Sequence, residues 1–272
     1  MTGLVWLNGT LLPAASAGIG VADRGFLLGD GLFETLRWRD GVVVRLDAHL
    51  GRLFQGATVL GLPLPPPAVL AAALADTAVA NDLKDGSLRL TVSAGPGARG
   101  LPRPAAPVPT LLVTAAPPGP PLPPARVVTA TVTRRNEHSP LSGVKCLNYL
   151  DQILARNEAS ARGADDAVLL NTAGQVACAT AATLFAVVDG ALVTPPLPSG
   201  ALPGTRRAAV LAALGGRSGP WRRPICRARR RCSSPPASWC GRWWRWMAAW
   251  WVTAGPAPRP PPPCGSPNAF CK

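Results

Sequence analysis

Residues 217–272 contain no aspartate or glutamate. All 14 acidic residues lie in residues 1–216, beside 17 of the 28 basic ones, so the body carries a net of only +3 out of a formal +14. An evenly basic chain would point to nucleic acid or an anionic surface. This distribution removes that reading from the body. Cysteine is scarce before the tail: only Cys146 and Cys178, which excludes a disulfide framework and fits a reducing, cytoplasmic compartment. The tail's Cys226, Cys232, Cys240, Cys264 and Cys271 form no Cys-x-x-Cys pair, which argues against a zinc site. No run reaches the length of a membrane-spanning helix. The opening MTGLVWLNGT lacks the basic region and long apolar core of a secretory leader. Histidine occurs twice, at His49 and His138.

What is present suffices for a large core: 272 residues, 47% of them hydrophobic. The stretch SGVKCLNYLDQILARNEA, residues 142–159, is central. Leu147, Leu150, Ile153 and Leu154 recur at three- and four-residue steps, which predicts a helix with one apolar, buried face directly after Lys145. Arg162 and Gly163 supply a cation and a stop. A lysine at the mouth of a buried helix is partly desolvated, which lowers its pKa and makes it nucleophilic toward a carbonyl. On spacing alone a surface lysine at a helix start is much the stronger reading.

Short strands are expected at Leu4–Leu7 and Leu11–Leu12 around Asn8-Gly9, and at Phe33–Trp38 and Val42–Leu46 around Asp40-Gly41. Helices are expected at His49–Leu60 and Val69–Ala80, and strands at Ser87–Ser93 and Leu111–Ala115. The Gly-Asp-Gly at 29–31 is not a phosphate loop, because no helix follows it. APPGPPLPPAR, residues 116–126, reads as a stiff linker between a small α/β domain, residues 1–115, and a larger one, residues 127–216. In the second, strands are expected at Val127–Thr133, Ala167–Leu170, Gln175–Ala177, Thr183–Val188 and Leu192–Thr194, with a turn at Asp189-Gly190. His138 lies in the exposed loop before Lys145.

Several of these segments, in order, resemble one family. Lys145-Cys146-Leu147-Asn148-Tyr149-Leu150 with its helix ending Ala-Arg-Asn-Glu-Ala, Arg24-Gly25, Gly29-Asp30-Gly31-Leu32-Phe33-Glu34-Thr35, His49-x-x-Arg52-Leu53 and Thr194-Pro-Pro-Leu…Leu202-Pro-Gly204-Thr205-Arg206 are similar to fold-type IV pyridoxal-phosphate enzymes. These are the class IV aminotransferases: branched-chain and D-amino-acid aminotransferases and aminodeoxychorismate lyases. The likeness spans roughly residues 4 to 214. It implies a two-domain α/β (α+β) fold with pyridoxal 5'-phosphate between the domains, a small amino substrate, a homodimer, and neither nucleic acid nor membrane as partner. It implies that Lys145 carries the cofactor as a Schiff base and moves protons, and that Arg52 binds the phosphate. The turn at Gly204, Thr205 and Arg206 would present N–H groups to the same phosphate, at a helix N-terminus. Leu202 would pack on the pyridine ring. Thr35 would relay a proton near the substrate, beside Phe33, or be a plain strand threonine. Arg99, in a loop resembling that of the lyases, would face a substrate carboxylate or be a loop arginine. His49 reads as structural. The Phe-Glu-Thr, the Gly-Ala-Arg-Gly loop and the Lys-Cys-Leu-Asn-Tyr-Leu lean toward aminodeoxychorismate lyase, releasing pyruvate and 4-aminobenzoate for folate biosynthesis. A D-amino-acid or branched-chain transaminase comes second.

Two departures stand against the family pattern. Cys178 occupies the position of the glutamate that faces the pyridine nitrogen. A neutral thiol donates weakly, so a weakened electron sink is expected. The second is the tail, with seven of the nine tryptophans and 11 basic residues. Nucleic-acid binding through Arg and Trp, an interfacial membrane segment and out-of-frame translation compete. Shifting the frame of a GC-rich coding sequence regenerates a string of the form DLPRA-x-AVFL…V-x-PVVAVDG-x-VVG, which resembles the family's C-terminal hairpin. A frameshift is therefore favoured. It implies a disordered tail, an unpaired sheet edge and, with Cys178, an inactive remnant as a further alternative.

Overall fold

The computed structural model describes residues 3–120, 123, 125–188 and 191–220, and two short strands beyond them. The chain opens as a hairpin, β1 (Leu4–Leu7) and β2 (Thr10–Pro13). Its turn residues Asn8 and Gly9 both take positive φ, 48° and 98°, as a two-residue hairpin loop requires. A short helix α1 (Arg24–Leu28) follows, capped by the Asp23 carboxylate on the Gly25 and Phe26 N–H groups and closed by left-handed Gly29. Sequence periodicity gave no sign of α1. Next come β3 (Gly31–Arg39), β4 (Val42–Val44), α2 (Leu46–Leu60), α3 (Pro67–Ala80), β5 (Asp85–Ser93) and β6 (Thr110–Ala116). As expected, Gly29–Gly31 leads into a strand and not a helix.

These strands form one antiparallel sheet in the order β2-β1-β6-β5-β3-β4. Alternation does the sorting. Leu88, Leu90 and Val92 of β5, with Leu32, Leu36 and Trp38 of β3, point to one face and are buried. Leu50, Leu53 and Ala57 of α2 and Leu70, Leu74 and Ala78 of α3 cover that face. The opposite face carries Phe33, Thr35 and Arg37 on β3 and Arg89 and Thr91 on β5, with Thr35 directly opposite Arg89.

Past residues 117–126 the chain builds two further sheets. β7 (Val127–Thr129), α4 (Leu150–Ala161), β8 (Asp166–Leu170), β9 (Val176–Ala179), β10 (Thr183–Val188), β11 (Ala191–Thr194), α5 (Thr205–Leu214), β12 (Arg217–Ser218), β13 (Ala228–Arg229) and β14 (Ala249–Thr253) follow in order. One sheet is β7-β8-β9, the other β12-β11-β10-β14-β13. The expected turn at Asp189-Gly190 lies outside the described residues.

Four expectations need correction. The strand from Val127 ends at Thr129 rather than Thr133, because the Glu158 carboxylate captures the Thr131 and Val132 N–H groups that a ladder would use. The strand expected at Gln175–Ala177 is displaced to Val176–Ala179 and includes Cys178. The helix after Lys145 begins only at Leu150, and its apolar stripe is not buried in this chain: Leu150, Ile153 and Leu154 are 68%, 50% and 49% exposed. The face turned inward consists of Gln152, Ala155 and Ala159, and the two alanines are small enough for close packing on β8. Finally, the edge of β10 is paired. Residues 249–253 run parallel to Thr183–Val187, and β13 lies antiparallel to β14.

Two carboxylates pin loops in this half. Glu137 accepts from the Thr172 and Ala173 N–H groups, and Glu158 accepts from Thr131, Val132 and Arg162. Bonds from backbone N–H groups hold both acids down to about 2, from 4.5. A depressed carboxyl stabilises the fold above its unfolded pKa and loses that contribution as pH falls through the folded value. The thermal midpoint should therefore decline as pH drops from about 4.5 toward 2, measured by circular dichroism. Glu158→Gln should flatten part of that slope.

Candidate active site

Lys145 is held by a strand-like contact between the two halves of the chain. A 3-10 turn at Pro140–Gly143 delivers the segment. The Phe33 N–H donates to the Lys145 carbonyl at 3.0 Å, and the Leu147 N–H donates to the Gly31 carbonyl at 2.9 Å. Extended backbone sends successive side chains to opposite sides. Val144 and Cys146 enter the core of the first sheet, and Lys145 emerges on the other side, over the Phe33 ring.

The Lys145 Nζ stands 4.0 Å from the Phe33 ring centroid and donates to the Tyr149 hydroxyl at 3.3 Å. Phe33 and Tyr149 meet edge to face, centroids 5.1 Å apart. Burial pushes the Lys145 amine down to about 8, with the Arg52 charge second, against a partial opposing pull from Glu34. Burial also pushes Tyr149 up to about 12, so its phenol stays protonated at neutral pH. The result is an amine with a substantial neutral fraction near pH 8, seated between two aromatic rings.

Arg89, which the sequence reading missed, lies with its guanidinium 3.8 Å from the Phe33 centroid. Its position was recoverable: it alternates with buried Leu88 and Leu90, so it must face the cleft. Arg99 does not enter this cluster. It is exposed, on a loop that buried Arg24 fastens by donating to the Gly100, Leu101 and Pro102 carbonyls and to Asp30. Thr35 is on the cleft face with Phe33, exposed, and His138 is peripheral and exposed, as expected.

Arg52 and His49, one turn apart on α2, converge on the fully buried Glu34. Arg52 Nε and Nη2 donate to the two Glu34 oxygens at 2.7 and 2.6 Å, and His49 Nδ1 bonds Glu34 at 2.7 Å. Burial raises the Glu34 pKa, but the His49 and Arg52 bonds more than offset it, so the acid is held below its ordinary value. His49 Nε2 lies 3.3 Å from the Thr205 hydroxyl, and Arg52 Nη1 donates to the Pro203 carbonyl at 3.2 Å. The expected structural role of His49 thus becomes a specific one.

Gly204 begins α5 with no side-chain cap, so the first-turn N–H groups retain their partial positive charge. A Cβ on Gly204 would come within 2.9 Å of the Thr183 hydroxyl, so glycine lets the turn close. Leu202 and Arg206 are half-buried beside it, and Thr205 is buried. Cys178 on β9 is also half-buried. Burial pushes its thiol up to about 11, partly offset by Arg135, and the side chain packs against the alanine cluster of α4 and β8.

This arrangement coincides with a known family. A model of amino-transferase class IV matches residues 31–217, and the chain belongs to that family. It is 35% identical to a provisionally assigned branched-chain-amino-acid aminotransferase of Methanocaldococcus jannaschii, over 76% of this chain and 73% of the relative. It is 32% identical to an aminodeoxychorismate lyase of Vibrio harveyi, over 78% and 77%. The branched-chain amino acid aminotransferase structure of Escherichia coli superposes with a TM-score of 0.78 at 26% identity, covering 82% of this chain and 79% of that one. The fold is the two-domain α/β fold of these enzymes, and the family's cofactor is pyridoxal 5'-phosphate.

The residues present fit that cofactor at two of its ends. A desolvated amine faces the cleft for the aldehyde, and an uncapped helix N-terminus beside Arg52 suits a phosphate. At the third end, where the family pattern has a glutamate and this chain Cys178, the chemistry fits poorly, since a protonated thiol cannot hold a proton on a ring nitrogen as a carboxylate does. Reductive alkylation of the amine by a small aldehyde should be half-maximal near pH 8 at Lys145, well below an ordinary lysine at 10.5. Peptide mapping across pH 6 to 11 would check this.

Proposed function

We propose that the chain is a pyridoxal-phosphate lyase acting on 4-amino-4-deoxychorismate, releasing pyruvate and 4-aminobenzoate. The observation that carries the reading is the grouping of Lys145, Arg89 and Thr35 on one polar face around Phe33. The substrate offers an amine and two carboxylates, and this face offers an amine, a cation and a hydroxyl. When bound, pyridoxal phosphate supplies an aldehyde carbon and an electron-withdrawing ring. Lys145 Nζ then holds the cofactor and moves the proton at the substrate carbon. Arg89 orients a carboxylate by charge-assisted bonds. The Thr35 hydroxyl relays a proton to the departing enolpyruvyl oxygen, whose loss leaves the ring aromatic. Phe33 and Tyr149 keep water from Lys145. Arg52 and the Gly204–Arg206 turn would hold the phosphate, and Leu202 would pack on the ring. Cys178, at the position the family gives to a glutamate, would supply no carboxylate to the ring nitrogen and would limit the rate.

A transaminase acting on D-amino or branched-chain substrates is the second reading, favoured by the relative that is 35% identical. Pyruvate release from aminodeoxychorismate, compared with amino transfer to 2-oxoglutarate, separates the two. Arg89→Met should lower kcat/KM at least about tenfold through loss of a charge-assisted carboxylate bond, and Cys178→Glu should raise turnover. Unchanged turnover in Cys178→Glu would sink the role given to the thiol. Absence of a borohydride-fixed pyridoxyl group on Lys145 would leave an inactive remnant.

The reading includes a division into domains at residues 116–126 and a cytoplasmic homodimer. Phe26, Leu27 and Leu28 of α1 and Leu150, Ile153 and Leu154 of α4 are exposed, and the end of α1 abuts Asn148, just before α4. Covering such side chains contributes on the order of 1 kcal/mol each. Leu150→Asp should shift sedimentation toward the monomer. The tail, in the same reading, is translated out of frame after about Gly216, which resequencing of the coding region for about Leu214 to Pro224 tests.

A further inference from the structure

Glu34 is anomalous for its place. It shares its face of β3 with Leu32, Leu36 and Trp38, all apolar, and has no exposed surface. An apolar residue there would be cheaper, since a buried ion pair is often no more stable than well-packed hydrocarbon. What a carboxylate supplies instead is direction. Its two oxygens take the Nε and Nη2 edge of Arg52 as a planar pair. A guanidinium has five N–H groups in a rigid fork. With that edge taken, and Nη1 also donating to Pro203, the remaining N–H groups on Nη1 and Nη2 have one allowed direction. The same carboxylate engages His49 Nδ1, so the network places the ring proton there and leaves Nε2 to accept from the Thr205 hydroxyl. Thr205 is the first residue of α5. One acid thereby sets the angle of the arginine and the position of the helix end that flank the same turn.

We propose that Glu34 is a positioning residue for the phosphate site: it aims Arg52 and, through His49, seats the N-terminus of α5, without touching the ligand itself. The proposal rests on Arg52 and that helix end being the phosphate site. The Glu34, His49 and Arg52 bonds join β3, α2 and the start of α5.

The experiment compares equilibrium binding of pyridoxal 5'-phosphate with that of pyridoxal, which lacks the phosphate, by the full-length apo protein. The affinity ratio isolates the phosphate's share, and no turnover is needed. Glu34→Gln should reduce the ratio at least about tenfold, the loss of an aligned charge-assisted pair, and leave pyridoxal affinity unchanged. In an Arg52→Leu background the same substitution should change the ratio several-fold less than it does in the unaltered protein, because there is no fork left to aim and only the His49 route to α5 remains. Equal loss of both ligands, or the same loss in both backgrounds, would overturn positioning in favour of a merely structural acid. Arg52→Lys serves if Glu34→Gln does not fold. It keeps the charge but cannot form the planar pair, so its ratio should fall, and a ratio like that of the unaltered protein overturns the proposal. If Arg52→Leu leaves the ratio intact, the phosphate assignment itself fails, and positioning falls with it.

Discussion

Two backbone hydrogen bonds decide where the chemistry sits. The Phe33 N–H to Lys145 carbonyl and Leu147 N–H to Gly31 carbonyl bonds fasten a segment of the second half along β3 of the first. They fix the parity of the segment, and parity decides which side chain is buried. A shift of one residue would send Cys146 to the cleft and Lys145 into the core. The same bonds hold Lys145 over Phe33, whose ring belongs to the strand it is bonded to. Desolvation of the amine is therefore a result of backbone registration, and the lowered pKa follows from it.

A second seam, made of side chains, runs parallel to the first. Glu34, His49 and Arg52 reach across to Pro203 and Thr205. The backbone seam places Lys145 and the side-chain seam places Arg52 beside the start of α5. Both begin on β3, at adjacent residues facing opposite sides: Phe33 toward the cleft, Glu34 toward α2. One strand thus sets the distance between the two ends of the site.

Most strands were legible because alternation and turn chemistry act locally. Asn8-Gly9 and Asp40-Gly41 bracket hairpins through backbone angles that few other residue pairs adopt. The helix after Lys145 was legible as a helix, but its environment was not. Leucine spacing reports an apolar face without reporting what covers it, and here Ala155 and Ala159 pack inward while Leu150 and Leu154 face out. Lys145, Arg52 and the Gly204 turn came from motifs, whose order along the chain is itself information. Arg89 and Glu34 were missed for opposite reasons. Arg89 belongs to no motif and is defined only by its strand partner Thr35. Glu34 sat inside a motif yet gained its role only when two turns of α2 were laid over it.

The tail shows which parts of such a structure demand a particular sequence. Residues 249–253 pair with β10 in a five-residue parallel register. The bonds of that ladder come from backbone groups that every residue except proline possesses. Alanine, tryptophan, valine and threonine include good strand formers, so a tail of this composition can close a sheet edge. The expectation of an open edge failed because it treated pairing as a property of the correct residues. A site obeys a stricter rule. A thiol at position 178 cannot do a carboxylate's work however well β9 is formed, because proton affinity belongs to the side chain. A chain of this kind can therefore keep its architecture through changes that its chemistry would not survive, because a ladder depends on the backbone and proton affinity on the side chain.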